Sequence, residues 1–527
     1  MQEEDLLFSD FKELIKNRFI TSGWLTVYLN EKEIKNIYQG LIYSALIAKD
    51  KVDDVLSKCE FDVHLGEGSD LFSYKEGDEE KISYRRFTVE GIEPLIYHRS
   101  FYGIKEEYLE FSEEFRLYFN LYEEHKSNNE KKYIHIDENG DEEVIAIISE
   151  NKVSVRVDYI KEYISVRNMF LAIYFDLTRL AEKTLEELPL KEINKTNKGK
   201  YYIFCQSTKN FNSLDSKSAG FITGKILIPP IKNYKPKSFE EEKYEKFIIG
   251  IDSNGNEKYL SCERRRYYPV YFKREVLDKY YNNTDKFTVE DGLIKAKGLW
   301  SLRVDNNHPE YVIVFLGELG MLPYKEQLYW KNNNVVPSPN GGVSKSFYSR
   351  YVMGEFAPPD MPDHYFKEKY NDFSKKWYSK FGWDLFMPLS KNDEHHFKSL
   401  HRPSPENRKD FDEQVASIVK ITIGSLNEKE LEKDVEIAKP NPQGIDKLEA
   451  FLESKRYKLD DMIEFLRKLQ RLRSKSVAHR KSEDDKELKK TYEYFHLDDK
   501  RLDKAFDDIL IGAIKVFNTL ERNLLAE

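Results

Sequence analysis

Cysteine is nearly absent from this chain. Three occur in 527 residues, Cys59, Cys205 and Cys262, far apart and never in a Cys-x-x-Cys spacing. That excludes a disulfide framework and a cysteine-built zinc site, and it points to a reducing compartment, read as the cytoplasm. A basic leader is also missing, since the chain opens Met-Gln-Glu-Glu-Asp, and every apolar run falls short of a membrane span, so a protein that makes no membrane contact is expected. Nor is there a basic excess. The net charge is −9, which argues against a protein that coats nucleic acid while leaving room for a local basic patch. Phosphate-binding loops are lacking too: His64-Leu65-Gly66-Glu67-Gly68 and Gly317-Glu318-Leu319-Gly320 have no following lysine and read as turns.

What the chain has is length and rings. At this length one hydrophobic core seldom serves, so two or three domains are expected. With 35 tyrosines and 33 phenylalanines the composition is that of a folded protein. Trp377, Phe381, Trp383 and Phe386 are read as core or interdomain packing.

Up to about residue 402 the signals are mixed. Residues 144–148 and 153–157 flank Ser-Glu-Asn-Lys, and 247–251 precede Asp-Ser-Asn-Gly and Tyr259-Leu260; both read as hairpins. Ile160, Ile164, Met169, Phe170, Ile173, Leu177 and Leu180 recur at helical spacing, so one long helix or two short ones are predicted over 159–188. Residues 311–316 form a continuous apolar run of the kind a buried strand shows, and 332–342 read as a loop. A charged stretch at 232–246 is the candidate internal boundary.

After Arg402-Pro-Ser-Pro-Glu the strand signals stop. Phe411, Val415, Ile418, Val419, Thr422 and Ile423 share a helical face, a second helix starts near Ile445, and Leu502 to Leu524 carries an apolar stripe. Between them Leu459, Met462, Ile463, Leu466, Leu469 and Leu472 recur at threes and fours. The expected fold class is therefore α+β: a mixed α/β region over 1–402, followed by an all-α helical bundle over 405–527.

The end of that leucine-striped helix is chemically suggestive. From Arg467 to Lys481 there are seven Lys or Arg and no acid, and within the run stands Arg473-Ser474-Lys475-Ser476-Val477-Ala478-His479-Arg480. Metal-free RNA cleavage needs a base near the 2′-hydroxyl, an acid near the leaving oxygen and a cation against the phosphate. Arginine grips phosphate bidentately at any pH, and histidine gains or loses a proton near neutrality. Lys475, Arg480, Lys481 and Arg471 would add attraction for the polyanion. A second Arg-to-His spacing, Arg303 to His308, falls in a turn before a strand, where no helix presents the two together.

Arg473, the polar Ser474 and the Ala478-His479 pair in a helical bundle resemble the HEPN superfamily, whose motif is Arg, four to six residues, then His. The resemblance covers roughly the last 80 to 120 residues, with Ser474 standing where asparagine is commoner. It implies a metal-independent endoribonuclease without a cofactor, usually a dimer with its site between paired helices, common in toxin, antiphage-defence (abortive-infection) and RNA-processing proteins. Arg473 would then be the phosphate-binding cation and His479 the acid-base group, with Ser474 beside them. The implied partners are an RNA substrate, tRNA among the candidates, a second copy of the chain, and a phage-derived or nucleotide trigger sensed by the N-terminal region.

Other accounts stay open. Arg471, Lys475 and His479 also suit a helix C-terminus whose dipole favours cations, as in a non-catalytic sensor that dimerises through its helical part. Asp393-Glu394-His395-His396 with His401 contains metal-ligand types but reads as an exposed loop. Glu263 to Tyr268, continued by Phe272-Lys273-Arg274, interleaves cations and rings as single-strand binders do, or as a strand with one polar face does. No nucleophile, metal or nucleotide motif marks a separate enzyme in the N-terminal region.

Overall fold

A computed structural model describes residues 8–31, 40–57, 70–87, 89–125, 130–181, 193–197, 202–210, 218–236, 242–263, 266–336, 341–433, 435–437, 439–477, 486–497 and 501–525. The fold class is α+β, strand-rich toward the N-terminus and helical toward the C-terminus. By internal contacts the chain divides into two units, residues 1–242 and 243–527. The cut falls within the charged 232–246 stretch.

The first unit is built on one large antiparallel sheet. Its main run of strands is β1 (Trp24–Glu31), β2 (Gly40–Ala48), β3 (Tyr122–His125), β4 (Lys131–Ile136), β5 (Glu142–Ile148), β6 (Lys152–Arg156), β7 (Met169–Ala181), β8 (Ile193–Asn197), β9 (Tyr202–Asn210) and β10 (Ser218–Ile228), in the order β8-β9-β10-β7-β2-β1-β6-β5-β4-β3, and two short strands, Ile20–Thr21 and Ile92–Pro94, pair with β1 and β2 off this run. The β5–β6 hairpin is the one its alternating sequence predicts, with Ile147 opposite Ser154. Helices α1 (Ser9–Lys16) and α2 (Val157–Val166) bury Phe11, Ile15, Ile160, Tyr163 and Ile164 in the same core as the sheet.

The helix expected over 159–188 is corrected here. Among the described residues of this stretch only those of α2 are helical; Asn168 then adopts φ 52°, the left-handed conformation that stops a helix, β7 runs from Met169 to Ala181, and 182–188 lie outside the described residues. Met169, Leu171, Ile173, Phe175 and Leu177 are buried at period two, while on the opposite face Ala172 is buried as well and Phe170 and Tyr174 are partly so. Apolar residues on both faces satisfy the helical and the strand period alike, so periodicity could not decide. Pairing did: β7 lies between β2 and β10, with Ile173 opposite both Ser44 and Ile226.

The second unit opens with β11 (Lys246–Ile251) and β12 (Glu257–Ser261), the second predicted hairpin. Strands β13 (Pro269–Lys273), β14 (Phe287–Glu290), β15 (Leu293–Ala296), β16 (Trp300–Arg303), β17 (Tyr311–Phe315) and β18 (Asn334–Val335) follow. The apolar run at 311–315 is a buried strand, paired with β13. Asn334 and Val335, read as loop, pair with β13 on its other side.

Helices α3 (Pro362–Phe381), α4 (Glu394–Lys398), α5 (Arg408–Ile421), α6 (Gly444–Ser454), α7 (Asp460–Val477), α8 (Lys486–Tyr494) and α9 (Leu502–Leu520) complete the unit. Phe366, Phe373 and Trp377 of α3 share a core with Val415, Leu466, Leu469, Phe506 and Phe517. At Gly512 α9 comes so close to α7 that an added Cβ would stand 2.4 Å from Cε2 of the buried Phe465. Gly512→Ala gains about 1 kcal/mol of helix propensity and meets an overpacking cost of about 1–3 kcal/mol. A lower urea midpoint is expected for Gly512→Ala, and a lower one still for Gly512→Val.

Candidate functional site

Helix α7 is anchored by its stripe. Met462, Ile463, Leu466, Leu469 and Leu472 are buried, as their spacing predicts, and Asp460 and Asp461 lie in the first turn, where acids favour the helix dipole. The opposite face of its last turns presents Arg471, Arg473 and Ser474 to solvent. Ser474 Oγ donates to the Gln470 carbonyl at 3.0 Å, a back-bond within the helix. Arg471 hydrogen-bonds Glu487 of α8, so one of the expected phosphate-binding cations already holds a carboxylate. Further back, Arg467 reaches Asp446 at 3.1 Å and also Glu449, tying α7 to α6. Lys475 lies in the helix backbone; His479, Arg480 and Lys481 fall outside the described residues.

What the sequence did not place beside this helix is α4. Asp393 to His396, read as an exposed loop, leads into a short helix packed on α5. His396 Nδ1 shares a hydrogen bond with Ser417 Oγ at 2.9 Å, His395 Nδ1 meets the Asn392 carbonyl at 2.7 Å, and the two rings lie 4.1 Å apart. Lys420 pairs with Asp393 at 3.2 Å. Burial lowers the pKa of His396, the charges of His395, Lys420 and Arg473 push the same way, and Asp393 opposes them. Arg473 therefore shares an electrostatic neighbourhood with a neutral-leaning imidazole drawn from a helix far away in sequence.

The remaining sequence candidates are dispersed. His401 Nδ1 contacts the Ser399 carbonyl at 2.6 Å, its Nε2 lies 3.4 Å from Asp410, and its ring stacks on Tyr281 at 4.2 Å, which employs both nitrogens locally. Among the described residues no group of three or more His, Cys, Asp or Glu is placed to hold a metal ion. His308 Nδ1 accepts from the Glu310 and Tyr311 amides, fixing the turn before β17, while Arg303 lies 3.9 Å from Glu318. Tyr267 and Tyr268 are exposed and Arg264 and Arg265 are outside the described residues, as is the glycine pair at 66 and 68. Among the described residues no helix is long and apolar enough to cross a membrane.

Comparison of the chain with protein-family models, with curated proteins and with solved structures finds no match.

Proposed function

We propose that the C-terminal helical part is a metal-independent endoribonuclease of HEPN type, acting as a homodimer on RNA and restrained by the N-terminal region as a toxin or antiphage effector. The observation that carries this reading is the placing of Arg473 and Ser474 side by side on the solvent face of a helix whose other face is locked into a core, with His479 six positions on. In the reaction the 2′-oxygen attacks phosphorus as its proton passes to an imidazole. The phosphorus–5′-oxygen bond breaks, the 5′-oxygen takes a proton from a second imidazole, and a 2′,3′-cyclic phosphate remains. Arg473 would steady the negative charge gathering on the phosphate oxygens. A facing pair from the second protomer would supply the other proton carrier.

The Arg471–Glu487 pair favours a second reading, in which the basic helix end is structural and the helical part binds or dimerises without catalysis. Incubating wild-type and His479→Ala protein with total RNA and with tRNA in EDTA separates the two. Cleavage by wild type alone is expected on a denaturing gel. Cleavage retained by His479→Ala, or absent from both, counts against the ribonuclease.

A further inference from the structure

The first unit holds a cleft of about 780 Å³ that none of the sequence motifs signalled, within the range of about 300–1,000 Å³ common for small-molecule sites. It lies where the strands Ile96–Arg99 and Tyr108–Phe111 and the short helix Glu113–Tyr118 meet the end of the hairpin at 70–85. Four guanidinium groups line it, from Arg86, Arg99, Arg116 and Arg167. Their engagement differs. Arg167 hydrogen-bonds Glu93 at 2.7 Å and lies 3.6 Å from Glu114, so it serves the wall. Arg86 and Arg99 stand 3.7 Å from Glu114 and Glu110, beyond the roughly 2.7–2.9 Å of a charge-assisted hydrogen bond, with side chains 71% and 50% exposed. Arg116 is 3.6 Å from Glu123 and its buried Nε has no hydrogen-bond partner.

Flat apolar faces complete the lining. Tyr84, Phe87, Tyr97 and Tyr118 border the cleft; Tyr84 is 65% exposed, and Tyr118 is fastened through its hydroxyl to Glu162 at 3.2 Å. Four carboxylates also line it, Glu93, Glu110, Glu113 and Glu114, so the cations are balanced and a long polyanion gains little. Such a lining suits a small molecule with one anionic end, one flat ring and several hydrogen-bond donors.

We infer that this cleft is a nucleotide-binding site. The phosphate is held by Arg86 and Arg99, the base lies against the tyrosine rings, and Glu110 and Glu113 accept from sugar hydroxyls or base amino groups. The inference does not depend on ribonuclease activity. If both hold, the bound nucleotide is the signal that the N-terminal unit reads.

Full-length protein titrated calorimetrically with AMP, ATP, GTP, adenosine and inorganic phosphate tests this without any RNA. Saturable binding of at least one nucleotide in the micromolar range is expected, with adenosine weaker by about tenfold or more for want of the phosphate. Arg86→Glu with Arg99→Glu should weaken the nucleotide by about tenfold or more, Tyr84→Ala by severalfold, and Lys16→Glu, an exposed charge change outside the cleft, not at all. These positions are largely exposed, so the variants should keep the wild-type melting temperature, which is measured alongside. Absence of saturation by every nucleotide, equal binding of adenosine and AMP, or unaltered binding by the doubly reversed variant each overturns the assignment.

Discussion

Arg402→Ala is expected to remove about 3–5 kcal/mol from the stability of the second unit, the cost of stranding buried carboxylates. The Arg402 side chain is 3% exposed, with Nη2 2.6 Å from Asp503, itself 1% exposed, and Nε 2.9 Å from Asp507. Its Nη1 donates to the Pro309 carbonyl at 3.0 Å and its amide to Asp363 at 3.1 Å, so one residue binds α9, α3 and the loop before β17. The deficit should depend on pH. Burial raises the pKa of Asp507 and Arg402 pulls it back, so without the guanidinium the carboxyl rises further. An acid whose native pKa exceeds its unfolded value stabilises the fold at low pH and loses that contribution as pH climbs through the carboxylate range. The loss in Arg402→Ala should therefore be larger in neutral than in mildly acidic urea titrations. Adding Asp503→Asn and Asp507→Asn to Arg402→Met should recover much of it, since no charge is then buried alone. A single-residue loss below about 1 kcal/mol would mean that the pairs are not desolvated as described.

Other elements of the two units show what sequence can and cannot announce. The β5–β6 and β11–β12 hairpins, the strand at β17 and the stripe on α7 were legible because each is a local pattern, a period of two or of three-and-four closed by turn residues. The large sheet was not. Its centre joins residues near Ser44 to residues near Ile173 and those to residues near Ile226, and no short-range signal records such partners. The same distinction runs through the candidate site. Exposure of Arg473 and Ser474 follows from the leucines behind them, which face the core and turn the other side to solvent. His396 and Lys420 reach that neighbourhood from α4 and α5, and their approach depends on how helices pack rather than on any spacing along the chain. The four arginines around the N-terminal cleft are likewise scattered over some eighty residues of sequence and form no motif.

Arg473 offers the sharpest separation between catalysis and structure. On the ribonuclease reading, Arg473→Ala removes the group facing the phosphate and should lower the cleavage rate by about 10²–10³-fold, as the loss of one transition-state donor typically does. Arg473→Lys keeps the charge without the planar fork and should recover only part of the rate. Because Arg473 is exposed on α7, either change should leave stability within about 0.5 kcal/mol. On the structural reading the ordering inverts: removal of a cation from the helix end costs about 0.3–1 kcal/mol and any RNA cleavage is unmoved. A readout independent of activity is built into the same variant. Arg473 is one of the charges that hold the His396 pKa down, so Arg473→Ala should raise it, whereas Arg473→Lys should leave it nearly where it was. Following the His396 ring by NMR titration checks that coupling directly. A raised His396 pKa with full cleavage would separate the neighbourhood from the chemistry and leave the helix end as a binding surface. A raised His396 pKa with cleavage lost would assign the Arg473 guanidinium to the chemistry as well as to this neighbourhood.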